Sequence, residues 1–245
     1  EMFYWADPST PIEEIPDIFD HTDKRWVEIW NAVFMEFNKT KDNRYEPLKQ
    51  KNVDTGMGVE RTVAILSNAA SVYESSESLI KIIEEIEKLS GKEYSYPSLI
   101  KRTRTGGTDI NFRINMENGG WHGRDKEIRI IVDHLRAATF VLAEGLEPSN
   151  TEQGYILRRL IRRAIRYGKA LGIDGIFSHK IGEIVINLMG EEYPELRKNK
   201  DFIIEQLQRE EEKFNKTLEE GLKELENIVK RELKGVVTPL SWVGP

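Results

Sequence analysis

Residues 53–61 read VDTGMGVER, which places a carboxylate at Asp54, side-chain-free positions at Gly56 and Gly58, and a guanidinium at Arg61. These types at this spacing suit a small zwitterion beside an anion. A carboxylate accepts from an ammonium group, and an amide such as Asn31 can donate to a carbonyl or carboxylate oxygen. A glycine lets the backbone approach closely and leaves room only for a small substituent. An arginine at a helix start, among free N–H groups, can meet a phosphate or stack on a base. The same residues also fit a plainer arrangement, with Asp54 capping a helix and Arg61 on its surface.

A second concentration of chemistry lies in ILRRLIRRAIRYGK, residues 156–169. It holds Arg158, Arg159, Arg162, Arg163, Arg166 and Lys169 with no acidic residue among them. Arginines on a helix often form only a solvated face. An acid-free cluster inside an otherwise acidic chain points to phosphate contact. Nothing in it resembles a base-reading pattern, so positioning on a nucleic-acid backbone comes first. The four histidines (His21, His122, His134 and His179) are scattered without metal-ligand spacing. His134, beside Asp133 and near Arg136, reads as a local hydrogen-bonding residue rather than a catalyst. No nucleophilic triad and no Walker loop is present.

The elements that must carry these groups follow from periodicity. RWVEIWNAVFMEF (25–37) is rich in β-branched and aromatic residues, and predicts a strand. Alternation puts Ile29, Asn31, Val33 and Met35 on one face, and Glu28, Trp30, Ala32 and Phe34 on the other. LKQKNVD (48–54) predicts the antiparallel partner after a polar turn. From Val59 the spacing becomes helical, so VDTGMGVER should sit where a strand ends and a helix begins. The chain from about residue 75 reads as helical, apart from a Gly/Thr/Asn-rich loop near 104–123. Residues 127–144 predict a helix with Ile131, Leu135, Ala138 and Leu142 on one stripe. Asn150 is the expected N-cap of the basic helix, with Gln153 completing a capping box. Gly168 and Gly172 are expected to loosen that helix's end. Residues 200–234 predict a long amphipathic helix whose heptad pattern breaks at Glu211, so that it packs on its own domain. The expected fold class is α+β.

Composition sets outer bounds. The 245 residues have a net charge of −6, with 39% hydrophobic and 32% charged residues, enough for a buried core in one large or two modest domains. The negative balance argues against nucleic acid only on average, because EEYPE, REEEK and LEEGLKELE concentrate the acid late in the chain. There is no cysteine, so disulfides and thiolate zinc clusters are excluded, in keeping with a reducing, cytoplasmic setting. No apolar run is long enough to span a bilayer, and no membrane partner is expected.

EIWNAVFMEFNK (28–39), VDTGMGVER (53–61), RIIVDHLRAATFVLAEGLEPSNTEQGYILRRLIRRAIRYG (129–168) and REEEKFNKTLEEG (209–221) resemble, in order, the alanyl-tRNA synthetase family of class II aminoacyl-tRNA synthetases. The resemblance implies ATP-dependent activation of alanine, with Mg2+ accompanying ATP, and transfer to tRNA(Ala). GMGVER corresponds to the family's motif 3, which implies ATP binding by Gly58 and Arg61. It further implies that Asn31, Val33, Asp54 and Gly56 line the alanine pocket, Asp54 taking the ammonium. Glu28 is a possible Mg2+ ligand, but its strand parity opposes that of Asn31. Residues 1–74 would belong to the catalytic domain, and 75–245 to a helical domain receiving the acceptor stem. Asn150, Arg158, Arg159, Arg162, Arg163 and Arg166 would contact that stem. No group is assigned to covalent catalysis. Nothing here resembles motifs 1 and 2 or the editing domain with its metal ligands, and VVTPLSWVGP (236–245) departs from the family's usual continuation. A truncated chain, inactive alone, is therefore expected. The alternatives are a non-catalytic tRNA-binding module and, disfavoured by the missing ligands, a free-standing editing hydrolase.

Overall fold

The computed structural model describes residues 1–6, 10–23, 25–67, 69, 71–94 and 123–232. Among them are a three-stranded antiparallel sheet and eight α-helices, an α+β chain as expected. Of the glycine-rich stretch 104–123, all but Gly123 lies outside the described residues. The chain divides into two units. One takes in Glu1–Ile80, and the other Lys81–Tyr94 with 123–232.

In the first unit the order of strands is β1 (Met2–Trp5), β2 (Trp26–Lys39), β3 (Tyr45–Met57). The β-branched and aromatic run read as a strand forms β2, and the polar segment after it turns the chain at 40–44. Trp5 faces Trp26 across β1 and β2, their rings edge to face at 5.1 Å. The β2–β3 register is continuous from Trp30↔Met57 to Met35↔Asn52 and then shifts, pairing resuming at Phe37↔Pro47. Residues 48–51 therefore stand against Glu36 alone, a bulge that separates the hairpin turn from the pairs nearer Met57. Helix α1 (Val59–Leu66) follows at once, so the glycine-bearing motif does span a strand end and a helix start. Its apolar stripe is exposed at Val59, Val63 and Leu66, and Ala64 is its buried residue. α2 (Val72–Ser75) is a single turn capped by Ser71, whose Oγ accepts from the Tyr73 N–H at 3.2 Å. α3 (Glu77–Ser90) runs across the boundary between the units.

The second unit is a helical bundle of α4 (Gly123–Ala143), α5 (Glu152–Ala170), α6 (Ser178–Met189), α7 (Pro194–Lys198) and α8 (Lys200–Glu232). The predicted α4 stripe is the core itself, with Ile131, Leu135, Ala138 and Leu142 fully buried. Leu157, Ile161, Ala164 and Ile165 of α5 meet the same core, as do Ile181, Val185 and Ile186 of α6. Gly168 does not loosen α5: it is buried, and a Cβ there would come within 2.2 Å of the Phe177 ring. The glycine makes room for the aromatic side chain. Gly172, at φ +85°, lies in the left-handed region just past the helix end.

α8 behaves in two ways along its length. Ile203, Gln206, Leu207, Glu210 and Glu211 are buried against the bundle, as expected of a helix packing on its own domain. Leu222, Leu225 and Ile228 are exposed. At 33 residues α8 is roughly 50 Å long, and the 12- to 21-residue helices beside it cannot cover that span.

Glu211, the break in the heptad pattern, is fully buried and has a definite task. Its Oε2 accepts from the N–H groups of Phe177 at 3.1 Å and Ser178 at 2.8 Å, which open α6. One α8 side chain thus caps another helix, while Ser178 Oγ donates back to the Leu207 carbonyl at 3.2 Å. Burial pushes the Glu211 carboxyl above its ordinary range, outweighing the hydrogen bonds from Ser178 and Phe177 and the charge of Lys169. A carboxyl raised on folding contributes stability below its unfolded value, near 4.5, and loses it as pH rises through the folded value. Glu211→Gln keeps an accepting oxygen but cannot ionise. Relative to this variant, the native chain should lose thermal stability as pH climbs from about 4.5. Parallel melting curves across pH check this, and a pH-independent difference would contradict it.

Candidate active-site ribbon and basic helix

The β2–β3 register brings the pocket candidates together. Asn31 opposes Gly56 and Val33 opposes Asp54. Directly opposed residues share a face of an antiparallel pair, as do residues two apart on one strand. All four positions therefore lie on one face of the ribbon, as two neighbouring cross-strand pairs. Asn31 is half-buried, while Val33, Asp54 and Gly56 are exposed. A Cβ at Gly56 would meet no protein atom within 4 Å, so the glycine leaves open space in front of Asn31 and Asp54.

Asp54 is not the cap of α1. The N-cap is Gly58, which makes no side-chain hydrogen bond to the helix. With glycine at the N-cap, that residue brings no capping side chain to the helix start, a setting compatible with an anion. Gly58 is tied to β2 through its N–H, which donates to the Ile29 carbonyl at 3.0 Å. Arg61 reaches back to the same strand. Its Nη1 donates to the Glu28 carbonyl at 3.0 Å and lies 3.9 Å from the Glu28 carboxylate, with both side chains substantially exposed. The strand, the motif and the helix start are thereby joined through residues 28–31.

On the opposite face, Trp30 pairs with Met57 and Ala32 with Thr55. The Trp30 indole N–H donates to Thr55 Oγ1 at 2.6 Å, and Thr55 Oγ1 donates to the Asn31 carbonyl at 3.2 Å. Sequence reading passed over Thr55, whose signal was its place between Asp54 and Gly56. Among the described residues no three carboxylate, imidazole or thiolate groups gather to hold a metal ion.

Arg158, Arg162, Arg166 and Lys169 recur at spacings of four, four and three, the spacing of a single stripe along one side of the basic helix. They do not make one free stripe. Arg162 turns toward α8, where its Nε donates to Glu210 Oε1 at 2.6 Å and its guanidinium lies 5.2 Å from the centre of the Phe214 ring. Arg159, Arg163 and Arg166 face outward and are exposed, Arg166 resting beside the Tyr167 ring. Arg158 donates from Nη1 to the side-chain oxygen of Asn150. That contact removes Asn150 from the capping role assigned to it. The N-cap is Thr151, which makes no side-chain cap. Ser149 Oγ instead accepts from the Thr151 N–H at 3.3 Å. The physical reason is charge: a guanidinium donor competes better for the Asn150 amide oxygen than a backbone N–H does. The chain also takes φ +48° at Glu152, beginning the helix one residue later than a cap at 150 would. His134 is marked by burial, which with the nearby Arg163 charge keeps its imidazole below the usual pKa, Asp133 opposing.

Residues 10–241 match the family described as tRNA synthetases class II (A), and the chain belongs to that family. The curated relatives it resembles are alanine–tRNA ligases. That of Pediococcus pentosaceus is 39% identical over 206 residues, which is 84% of this chain and 20% of that protein. That of Staphylococcus aureus is 38% identical over 208 residues, 85% of this chain and 21% of that protein. The chain thus spans about a fifth of the relatives' length. No described helix is long and apolar enough to cross a membrane.

The Arg162–Glu210 pair carries a prediction independent of any ligand. Glu210 is buried, and its partner's loss leaves a carboxylate without that donor. Arg162→Ala should lower unfolding stability by about 1–3 kcal/mol, whereas Arg163→Ala, at an exposed position, should change it by less than about 0.5 kcal/mol. Chemical denaturation of the two variants measures the difference. Equal effects would show that Arg162 is only a surface residue.

Proposed function

We propose that this chain is the alanine-recognising and acceptor-stem-binding part of an alanine–tRNA ligase. The ligase activates alanine with ATP to an adenylate and transfers it to tRNA(Ala). The observation that carries the reading is the placement of Asn31, Val33, Asp54 and Gly56 on one ribbon face, in two adjacent cross-strand pairs. Asp54 accepts from the substrate ammonium, Asn31 donates to an oxygen of the substrate, and Val33 packs against its methyl group. The open space at Gly56 leaves room for that methyl group. Gly58, Arg61 and the start of α1 bind the phosphates of ATP. Proximity and fixed charge are what such a site supplies, since the adenylate forms without a covalent enzyme intermediate. Mg2+ enters with the ATP phosphates as part of the substrate.

The acceptor stem is assigned to the helical unit. Arg159, Arg163 and Arg166 contact phosphates, while Arg158 and Asn150 act together at the helix entrance. Asn150, presented by Arg158, is the candidate for reaching a groove edge. Arg162 belongs to the same helix but contributes chiefly by docking it on α8.

Two experiments test these assignments. In the complete gene product that carries this chain, Asp54→Asn preserves shape and removes the charge, and a charge-assisted hydrogen bond contributes about 1.5–3 kcal/mol. Alanine-dependent ATP–pyrophosphate exchange should therefore fall by about tenfold or more in kcat/KM. An unchanged value would remove Asp54 from the pocket. For the stem, microhelix titrations at several salt concentrations compare cognate and mismatched sequences. Arg159→Ala, Arg163→Ala and Arg166→Ala should each weaken both alike and lower the salt slope by about 1. Binding as tight as wild type with an unchanged slope would leave the arginines as a solvated face.

A further inference from the structure

The pairs that define the candidate pocket lie beyond a bulge. The hairpin turn at 40–44 holds the register of Phe37↔Pro47 and the pairs beside it. Residues 48–51, opposite Glu36, interrupt the ladder before Met35↔Asn52. Turn geometry therefore cannot transmit register to Asn31↔Gly56 and Val33↔Asp54. Burial does not enforce it there either, because Trp30, Val33, Phe34, Val53 and Met57 are all exposed in this unit. A glycine in the pairing adds backbone freedom. Some other interaction must hold these two pairs in place.

Among the described residues, a side-chain link crosses the strands at this position. The indole N–H of Trp30 is a donor only, so in its 2.6 Å contact the Thr55 hydroxyl oxygen must accept. The hydroxyl proton is then free to point elsewhere, and it is directed to the Asn31 carbonyl at 3.2 Å. The chain Trp30→Thr55→Asn31 thus has one possible polarity. It fastens the peptide bearing the Asn31 side chain to the residue between Asp54 and Gly56. The link lies on the back of the ribbon and occupies none of the pocket face.

We infer that Thr55 is a positioning residue that sets the separation of Asn31 from Asp54 and Gly56, and with it the pocket's selectivity for a one-carbon side chain. The inference rests on the reading of that face as the alanine site. Without the hydroxyl, Asn31 moves relative to the two β3 residues. The spacing between Asn31 and the open position at Gly56 then changes. ATP contacts through Gly58 and Arg61 are held by separate bonds to Ile29 and Glu28, so they are unaffected.

The test uses Thr55→Val and Thr55→Ser in the complete gene product. Valine keeps the β-branched shape and strand preference, so the variant folds, and it lacks only the hydroxyl chemistry. In Thr55→Val, KM for alanine should rise about three- to tenfold, the scale of one net hydrogen bond. Preference for alanine over serine should fall, while kcat and KM for ATP stay within about twofold of wild type. Thr55→Ser should restore the alanine KM. Hydrogen exchange of the Trp30 indole proton supplies a readout that needs no activity: it should speed up in the valine variant and recover in the serine variant. An unchanged alanine KM in Thr55→Val, or an equal rise in both variants, overturns the inference. If the wild-type protein shows no alanine-dependent exchange, the functional reading fails, and the indole measurement still reports whether the link exists.

Discussion

The pairing register of β2 against β3 is the constraint on which the candidate site depends. Side chains alternate across a strand with period two, so a slip of one residue would send Asp54 to the opposite face and leave Asn31 facing Thr55. The observed register does the reverse. It aligns Asn31 with Gly56 and Val33 with Asp54, which sets an amide, an apolar residue, a carboxylate and an empty position on one surface. α1 starts at Val59, just past Gly58, so the same register also fixes where the helix start stands relative to that surface. The Asp54 carboxylate and the Arg61 helix start are thus brought near one another by backbone geometry.

The helical unit uses a different device for a similar end. Two adjacent acidic residues on α8 reach two different helices, Glu210 to Arg162 on α5 and Glu211 to the first N–H groups of α6. Both carboxyl groups are buried, so the loss of a donor to either would cost the fold. The buried apolar residues of α5 set its rotation, with the arginines on the opposite side. Glu210 draws Arg162 onto α8, and Arg159, Arg163 and Arg166 are left facing outward.

Much of this was legible in the chain itself. Strands β2 and β3, the turn between them, the strand-to-helix junction at Gly58 and the α4 stripe all follow from periodicity and composition, whereas β1 is not read from them. These are local properties, set by which side chains recur at two or at three and four residues. The alternation across 28–35 already placed Asn31 with Val33; the pairing with β1 skips Ile29, but the pairing with β3 runs unbroken from Trp30 to Met35.

What sequence could not supply was every choice made between partners distant along the chain. Asn150 reads as a helix cap because its neighbours permit one, yet it bonds Arg158 eight residues on. Gly168 reads as a loose helix end, and is in fact the space for Phe177. Glu211 reads as a break in a hydrophobic pattern, and is a buried cap for a helix more than thirty residues earlier. Local spacing determines which elements form and which faces are apolar. Which donor meets which acceptor is decided only when those elements pack, because a buried polar group must take whichever partner the tertiary arrangement brings within reach.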